Sequence, residues 1–182
     1  MPAQQKALNQ DLSWQTRQQQ LHKVTHWQLN GAIAIKTPRQ GQTASIVWQQ
    51  YQAQHYQIDL FGPLGVGHLI LKGNTGQVTL NTNGQQYQSA TAEELMQKIL
   101  GWHVPVSNLY FWIRGLPAPH LKSHLSFDMY HHLAILRQQG WQIHYRQYTA
   151  INGIDLPSKL ILQQQNMIIK FIISHWQLIN NE

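Results

Sequence analysis

The chain has 182 residues, of which 42% are hydrophobic and 11% are charged, less than half the charged share of about 25% in ordinary soluble domains. Glutamine supplies much of the remaining polarity with 28 residues, and cysteine is absent. This composition excludes a disulfide scaffold, a cysteine zinc site and a cysteine nucleophile, and its apolar content argues against a disordered chain. The length suits one domain with its own core.

The formal net charge of +6 reflects a scarcity of acids, since 13 Lys and Arg stand against 7 Asp and Glu. No two basic residues are adjacent, and this scatter argues against nucleic-acid binding; a weak attraction to an anionic membrane surface fits the charge better. The longest strongly apolar stretch, 167–173, contains Lys170 and is far shorter than the ~20 residues that cross a bilayer.

The first part of the chain has apolar residues at helical spacing, and the part after it has them at strand spacing. Residues 4–25 are polar, lack Gly and Pro, and carry a narrow apolar stripe, which predicts an N-terminal helix. From residue 26 apolar and polar residues alternate, and this pattern predicts strands over 26–36, 43–51 and 55–61.

A series of hairpins follows. The segment 62–65 (GPLG) predicts a tight loop, and strands are predicted at about 66–72, 77–81 and 84–88. The Gly- and Asn-rich segments between these strands are typical of hairpin turns.

Two short amphipathic helices interrupt the strands. Thr91 with Glu94 three residues later forms a capping-box pattern, and Gly101 is expected to end that helix. A second short helix is predicted from Pro105 to about Gly115.

Strand periodicity resumes after about residue 124. It predicts strands near 132–137, 141–148, 158–163 and 167–178, for about eleven strands in total. Even hairpin spacing without long crossovers indicates one large antiparallel sheet, curled or closed. We predict a single domain over 1–182 in four parts: the N-terminal helix (4–25), the first strands (26–90), the lid helices (91–117) and the remaining strands (124–178).

Catalytic and metal-binding patterns are missing from the sequence. The eleven histidines have neither cysteines nor nearby acids to complete a zinc site, so we predict surface and turn histidines. The side chains of Glu93 and Glu94 point about 100° apart on a helix, so they are poorly placed to act as a catalytic pair. Their negative charges are better suited to stabilise the N-terminus of that helix. Asp59 is expected on the outer face of its strand. We therefore predict that the protein is not an enzyme and that it binds no metal and no cofactor.

Two features point instead to apolar contacts. Leu64 stands at a loop tip between Pro63 and Gly65, where polar residues are usual. The seven tryptophans exceed what a small core readily packs, which leaves two interpretations open: a Trp-rich core, or a barrel interior lined for an apolar ligand.

The order and spacing of several short motifs resemble the LolB family, the outer-membrane lipoprotein receptors of Gram-negative bacteria. The resemblance is densest between residues 14 and 117, and the last third matches only by its strand pattern. The motifs are Trp14 to Leu21, Trp27 to Ala34, Trp48 to Gln50, Tyr56 to Gly65, Ala92 to Leu95 and Gly101 to Pro117.

The resemblance implies a mainly β fold with a helical lid. The expected architecture is an incomplete, half-open antiparallel β-barrel of about eleven strands around a hydrophobic cavity, similar to the periplasmic carrier LolA. The implied function involves no covalent chemistry: the protein accepts the acyl chains of lipoproteins from LolA and inserts the lipoproteins into the outer membrane. Expected partners are LolA, acylated lipoproteins and outer-membrane lipids, and the protein is expected to be a monomer.

Site residues follow from the same resemblance. Pro63, Leu64 and Gly65 match the family's protruding loop, which is tied to membrane insertion of the cargo. We expect the following residues to line the acyl-chain cavity: Ile33, Ile46, Trp48, Ile58, Leu60, Leu95, Ile99, Leu109, Trp112, Ile113 and Trp141.

The resemblance also bears on location. Family members begin with a signal peptide and a lipidated cysteine, and the sequence here has neither. We expect it to be the mature, soluble portion of a protein that is lipid-anchored at the periplasmic face of the outer membrane. The alternatives are a lipid-binding envelope sensor, or another acyl-chain-binding module, on the same half-barrel; a lipid hydrolase ranks third because no nucleophile–base–acid set is visible.

Overall fold

One antiparallel sheet of eleven strands dominates the computed structural model, which describes residues 5–62 and 67–179. The sheet is open, because β6 and β7 form its two edges, while β1 and β11 pair at its centre. The strands are β1 Trp27–Lys36, β2 Gly41–Gln52, β3 His55–Gly62, β4 Gly67–Asn74, β5 Gln77–Thr82, β6 Gln85–Ser89, β7 Ser123–Phe127, β8 Leu133–Gln138, β9 Trp141–Ile151, β10 Ile154–Gln164 and β11 Met167–Leu178.

The predicted fold class is confirmed: the protein is mainly β, with one open antiparallel sheet and a few helices. The strand pattern indicated a large antiparallel sheet, and the family resemblance implied that it would be half-open. Alternation explains the strands: Ile46 and Trp48 of β2 are buried on one face, and Val47 between them is partly exposed on the other. Asn83 and Gly84 both have positive φ (50° and 73°), as a two-residue type I′ turn requires between β5 and β6.

The connection from β6 to β7 covers the concave face of the sheet. It contains α2 (Ala92–Leu95), a π-helical segment (Met96–Leu100) and α3 (Val106–Trp112), and we refer to residues 92–112 as the lid. Thr91 caps α2 as predicted, because its hydroxyl accepts the N–H of Glu94 at 3.3 Å. Gly101 ends the π-helical segment with a φ of 72°, a left-handed conformation that glycine adopts without steric cost.

Tryptophans fill much of the space between sheet and lid. The ring of Trp27 lies 5.1 Å from that of Trp48 and 5.2 Å from that of Trp176, and all three are at most 1% exposed. Trp112 of the lid lies 6.3 Å from Trp141 of β9. A Trp-rich core, one of the two interpretations left open, is therefore present.

The N-terminal helix is shorter than we predicted over 4–25. In the structure α1 spans Trp14–His22 and begins where the Ser13 hydroxyl accepts the N–H of Thr16 at 3.1 Å. Residues 5–12 are not helical. The N–H groups of Leu8 and Asn9 bond to the Asp155 carboxylate of β10 instead, a tertiary contact that periodicity cannot reveal.

Gly31 sits at a register shift between β1 and β11, and its lack of a side chain allows the two backbones to approach. A Cβ at this position would lie 2.1 Å from the carbonyl oxygen of Ile172. We expect Gly31→Ala to lower the free energy of unfolding by about 2 kcal/mol, because partner backbone must shift. Gly41→Ala is the matched control, since nothing lies within 4 Å of its Cβ. Urea unfolding checks both, and equal losses would contradict this packing argument.

Candidate functional site

An apolar pocket lies between the lid and the strands around the centre of the sheet. None of the described residues that line it has a polar side chain facing the open space. Its walls are Ile33, Ile35, Ile46, Trp48, Ile58, Leu60, Leu69, Leu71, Met96, Val104, Val106, Leu109, Ile169 and Phe171. A site of this kind can hold hydrocarbon, but it offers no group that could act as an acid, a base or a nucleophile.

The pocket is nearly filled by its own walls. Its open volume is about 40 Å³, room for only a few water molecules, since roughly 10–15 Å³ of such space holds one. A wider cleft of about 380 Å³ adjoins it, and the two share Trp48 and Val106 as walls. Tyr56 and Glu93 also line this cleft; burial raises the pKa of the Tyr56 hydroxyl, and the nearby Glu93 charge raises it further.

The structure brings only part of the predicted cavity set to the pocket. Ile33, Ile46, Trp48, Ile58, Leu60 and Leu109 line it. The remaining predicted residues pack in the core elsewhere: Leu95, Ile99, Trp112, Ile113 and Trp141. Trp112, for example, is fully buried and donates its indole N–H to the Gln138 side chain at 2.8 Å.

Several pocket residues escaped the prediction from sequence. They are Ile35, Leu69, Leu71, Met96, Val104, Val106, Ile169 and Phe171. One of these residues could have been predicted from the alternation of β1, because Ile35 lies two residues after Ile33 and therefore on the same face. The pairing that brings β11 beside β1 (Ile33 with Phe171, Ile35 with Ile169) joins opposite ends of the chain and gives no local signal.

The predicted insertion loop, Pro63, Leu64 and Gly65, lies outside the described residues. The strands on either side of it are described, and they pair up to Gly62 with Gly67. Phe61 is 41% exposed on the convex face next to this loop, and its ring stacks on His68 at 4.3 Å.

A buried charged cluster holds the N-terminal segment on β10. The Asp155 carboxylate accepts the N–H of Leu8 at 2.7 Å and bonds His132 Nε2 at 2.8 Å. The Arg17 guanidinium lies 3.7 Å from the same carboxylate. These side chains are almost fully buried, so the cluster couples the segment before α1 to the sheet.

The cluster corrects our expectation that the histidines lie at the surface and in turns. This expectation is wrong for His132, which is 2% exposed between Asp128 and Asp155. Partial burial alone would raise the pKa of Asp128, but hydrogen bonds from His132 and from the backbone N–H of Tyr130 outweigh it and hold that pKa below the usual range. Asp59 is on the outer face, as expected, yet it is only 9% exposed because Gln57 and His68 cover it.

Arg114, immediately after the lid, is 1% exposed and joins the lid to α1. Its guanidinium donates to the carbonyl of Val24 at 2.7 Å and to that of Tyr110 at 2.9 Å, and it lies 4.0 Å from the Tyr110 ring centroid. Burial lowers the pKa of Arg114 to about 10. Arg114 therefore contributes to packing and to the end of a helix. It does not line the pocket.

Residues 5–62 and 67–179 contain neither a helix that could span a membrane nor a cluster that could bind a metal. None of the helices there combines the length and hydropathy that a bilayer crossing requires. Nor do three or more His, Asp or Glu side chains converge there in a way that could hold a metal ion.

Comparison with known proteins places the chain among lipoprotein-sorting proteins. The family model described as outer membrane lipoprotein LolB matches residues 25–176. The LolB protein of Pseudomonas paraeruginosa is 43% identical over 166 residues, which cover 91% of this chain and 80% of that protein. The LolB protein of Coxiella burnetii is 37% identical over 178 residues, with coverages of 97% and 84%.

A solved structure supports the fold at low sequence identity. A LolA superfamily protein from Nitrosomonas europaea superposes with a TM-score of 0.56 at 10% identity and covers 94% of this chain and 96% of that one. With the family match and the relatives above, the chain belongs to the LolB family, the outer-membrane lipoprotein receptors that act in lipoprotein localisation.

Proposed function

We propose that this protein accepts the acyl chains of lipoproteins from the periplasmic carrier LolA, holds them under the lid, and releases them into the outer membrane. The observation that carries this proposal is the wholly apolar lining of the pocket. Each buried CH₂ is worth ~0.8 kcal/mol, so one ~16-carbon chain brings ~12 kcal/mol of gross transfer energy. Only an apolar site can take up such a chain from its carrier.

Uptake requires movement of the lid, because the open volume of about 40 Å³ is too small for an acyl chain. The lid contributes Met96, Val104, Val106 and Leu109 to the pocket, and these apolar contacts can be exchanged for contacts with the cargo. The adjoining cleft, which shares Trp48 and Val106 with the pocket, is the entry route that we favour.

Different roles are proposed for the two groups of predicted cavity residues. The lining members Ile33, Ile46, Trp48, Ile58, Leu60 and Leu109 would contact the acyl chain directly. The others, Leu95, Ile99, Trp112, Ile113 and Trp141, would hold the lid and the sheet in register behind it. We propose no covalent step, since binding and release of hydrocarbon need none.

Release is assigned to the loop at residues 63–65. Leu64 would contact the bilayer while the cargo leaves, and a single leucine contributes at most ~1.5–3 kcal/mol of membrane affinity. That is enough for transient contact and too little for stable attachment. We therefore propose that the native protein is held at the periplasmic face of the outer membrane by a lipid anchor, as its family resemblance implies.

Replacement of a lining isoleucine by asparagine tests the pocket. We expect Ile46→Asn to weaken binding of a fluorescent fatty acid by roughly 5- to 100-fold, because an amide facing hydrocarbon costs about 1–3 kcal/mol. Ile143→Asn is the matched control: Ile143 is equally buried on the same sheet but does not line the pocket.

Titration of the fatty acid, corrected for the folded fraction of each variant, gives the affinities. Equal weakening by both variants, or binding unaffected by Ile46→Asn, would contradict the assignment of the pocket.

A further inference from the structure

One end of the sheet carries positive charge that no carboxylate of the described residues offsets. The turns 37–40, 139–140 and 165–166 lie at one end of the sheet, and so do Gly62 and Gly67, which flank the predicted insertion loop in the sequence; we call this the loop end. Exposed basic residues gather at or near this end: Lys36, Arg39, Lys122, Arg137 and Lys170. We refer to these five as the basic end.

Carboxylates cluster at the opposite end. Asp128 and Asp155 lie where β7 finishes and β10 begins, and Asp11 bonds His131 there. Glu93 and Glu94 follow the finish of β6 at the same end. Among the described residues, the carboxylate nearest to the basic end is that of Asp59 on β3.

The Asp59 carboxylate is already bonded by neighbours on its own face. Its oxygens bond the Gln57 amide at 2.7 Å and His68 at 3.3 Å. Within residues 5–62 and 67–179, none of the five cations of the basic end forms an ion pair, and Arg137 donates only to the Gln142 side chain. Their charge therefore stays uncompensated.

Strand register places three of these cations on one continuous surface. Arg137 and Lys170 each stand between inward-facing neighbours, and Lys36 follows the inward-facing Ile35, so all three point outward on the convex face. One cross-strand row runs from Arg137 through Gln142, Gln163 and Ile168 to Lys36, a span of four strand spacings or about 19 Å. Lys170 is the diagonal neighbour of Lys36, about 7–8 Å away.

The surroundings of this row also suit a lipid interface. Ile172, on the same face, is 54% exposed, and Phe61 beside the insertion loop is 41% exposed. His144, next to the row, has its pKa lowered by partial burial and by the positive charges of Arg146 and Arg137. A partly apolar surface with excess positive charge matches the headgroup region of an anionic bilayer.

We propose that the basic end docks on anionic phospholipid headgroups and thereby turns the insertion loop toward the membrane. The biological purpose of this docking rests on the proposed function, because it would bring the loop to the membrane where the cargo is released. A surface cation near an anionic bilayer strengthens binding by about fivefold, and the effect is screened by salt. The opposite end lacks this excess positive charge, because its carboxylates offset cations such as Arg17, Lys6 and Lys23, so the orientation with the basic end on the membrane is favoured.

Vesicle binding of the full chain without cargo tests the proposal. The vesicles contain phosphatidylcholine with roughly 30% phosphatidylglycerol, at about 50 mM salt. We expect the triple variant Lys36→Gln, Arg137→Gln, Lys170→Gln to bind at least tenfold more weakly than the unmodified chain. The matched control, Lys6→Gln, Lys23→Gln, Lys72→Gln, removes the same charge from exposed residues away from the loop end, and we expect a change of less than about twofold.

Three results would overturn the proposal. Equal weakening by both triple variants would mean that net charge alone attracts the chain, and no weakening by either would mean that the basic end does not touch the bilayer. Unchanged vesicle binding with loss of lipoprotein transfer from LolA would assign this surface to a protein partner. Fatty-acid binding by the same variants separates this test from that of the pocket, since neither triple variant alters a lining residue.

Discussion

Replacement of Leu64 by glutamate is expected to leave lipoprotein uptake intact and to reduce delivery to membranes at least tenfold. The physical reason is that the proposed loop contact is apolar: loss of one leucine removes up to ~1.5–3 kcal/mol of transfer energy, and a carboxylate adds repulsion from anionic headgroups. Because the described walls of the pocket come from the strands and the lid, we expect fatty-acid affinity not to change.

Met129→Glu is the control for this experiment. Met129 is 79% exposed in the turn between β7 and β8, at the opposite end of the sheet, and the substitution adds the same charge. Transfer of a labelled lipoprotein from LolA to outer-membrane vesicles separates the two steps. Normal delivery by Leu64→Glu, or an equal loss with Met129→Glu, would remove the loop from the mechanism.

Asp155→Ala is expected to destabilise the protein by about 3–5 kcal/mol. The substitution leaves the buried groups Arg17 and His132 without their shared carboxylate, and it removes the acceptor for the backbone N–H groups of Leu8 and Asn9. The segment before α1 should then detach from the sheet. Urea unfolding measures the loss of stability, and limited trypsin digestion should cleave the variant faster at Lys6 and Arg17.

The control for this second experiment is Asp59→Ala. Its ion-pair partner His68 has a side chain that is 46% exposed, so solvent screens the pair and we expect a loss of less than about 1 kcal/mol. If Asp155→Ala cost no more than Asp59→Ala, the buried cluster would not be what holds the N-terminal segment.

Prediction from sequence succeeded where the determining contacts are local. Thr91 and Glu94 are three residues apart and form the expected cap, and Asn83 with Gly84 forms the expected turn. It failed where the contacts are distant. Residues 5–12 look helical by composition, but Leu8 bonds Asp155, 147 residues away, and no local pattern contains that carboxylate.

The residues of the candidate site were likewise predicted in part only. Ile46 and Ile58 were among the residues that we expected to line the cavity, and both are walls of the apolar pocket. Trp112 and Trp141 have equally strong apolar character, yet Trp112, at the end of α3, packs against Trp141 of β9, and neither lines the pocket. Apolar periodicity indicates which side chains are buried, but it does not distinguish the wall of a cavity from a filled core.

By itself, therefore, the sequence determined most of the strands, the turns, the helix caps and the family, because each depends on residues that are close in the chain or on motifs in a given order. The short edge strand β7 (Ser123–Phe127) is not among the strands predicted from sequence. Only the tertiary structure decided which apolar residues share one pocket, why His132 and Asp155 are buried, and that the carboxylates lie away from the basic end. Those properties depend on the pairing of β1 with β11 and on the register of each hairpin, which bring together residues more than a hundred positions apart.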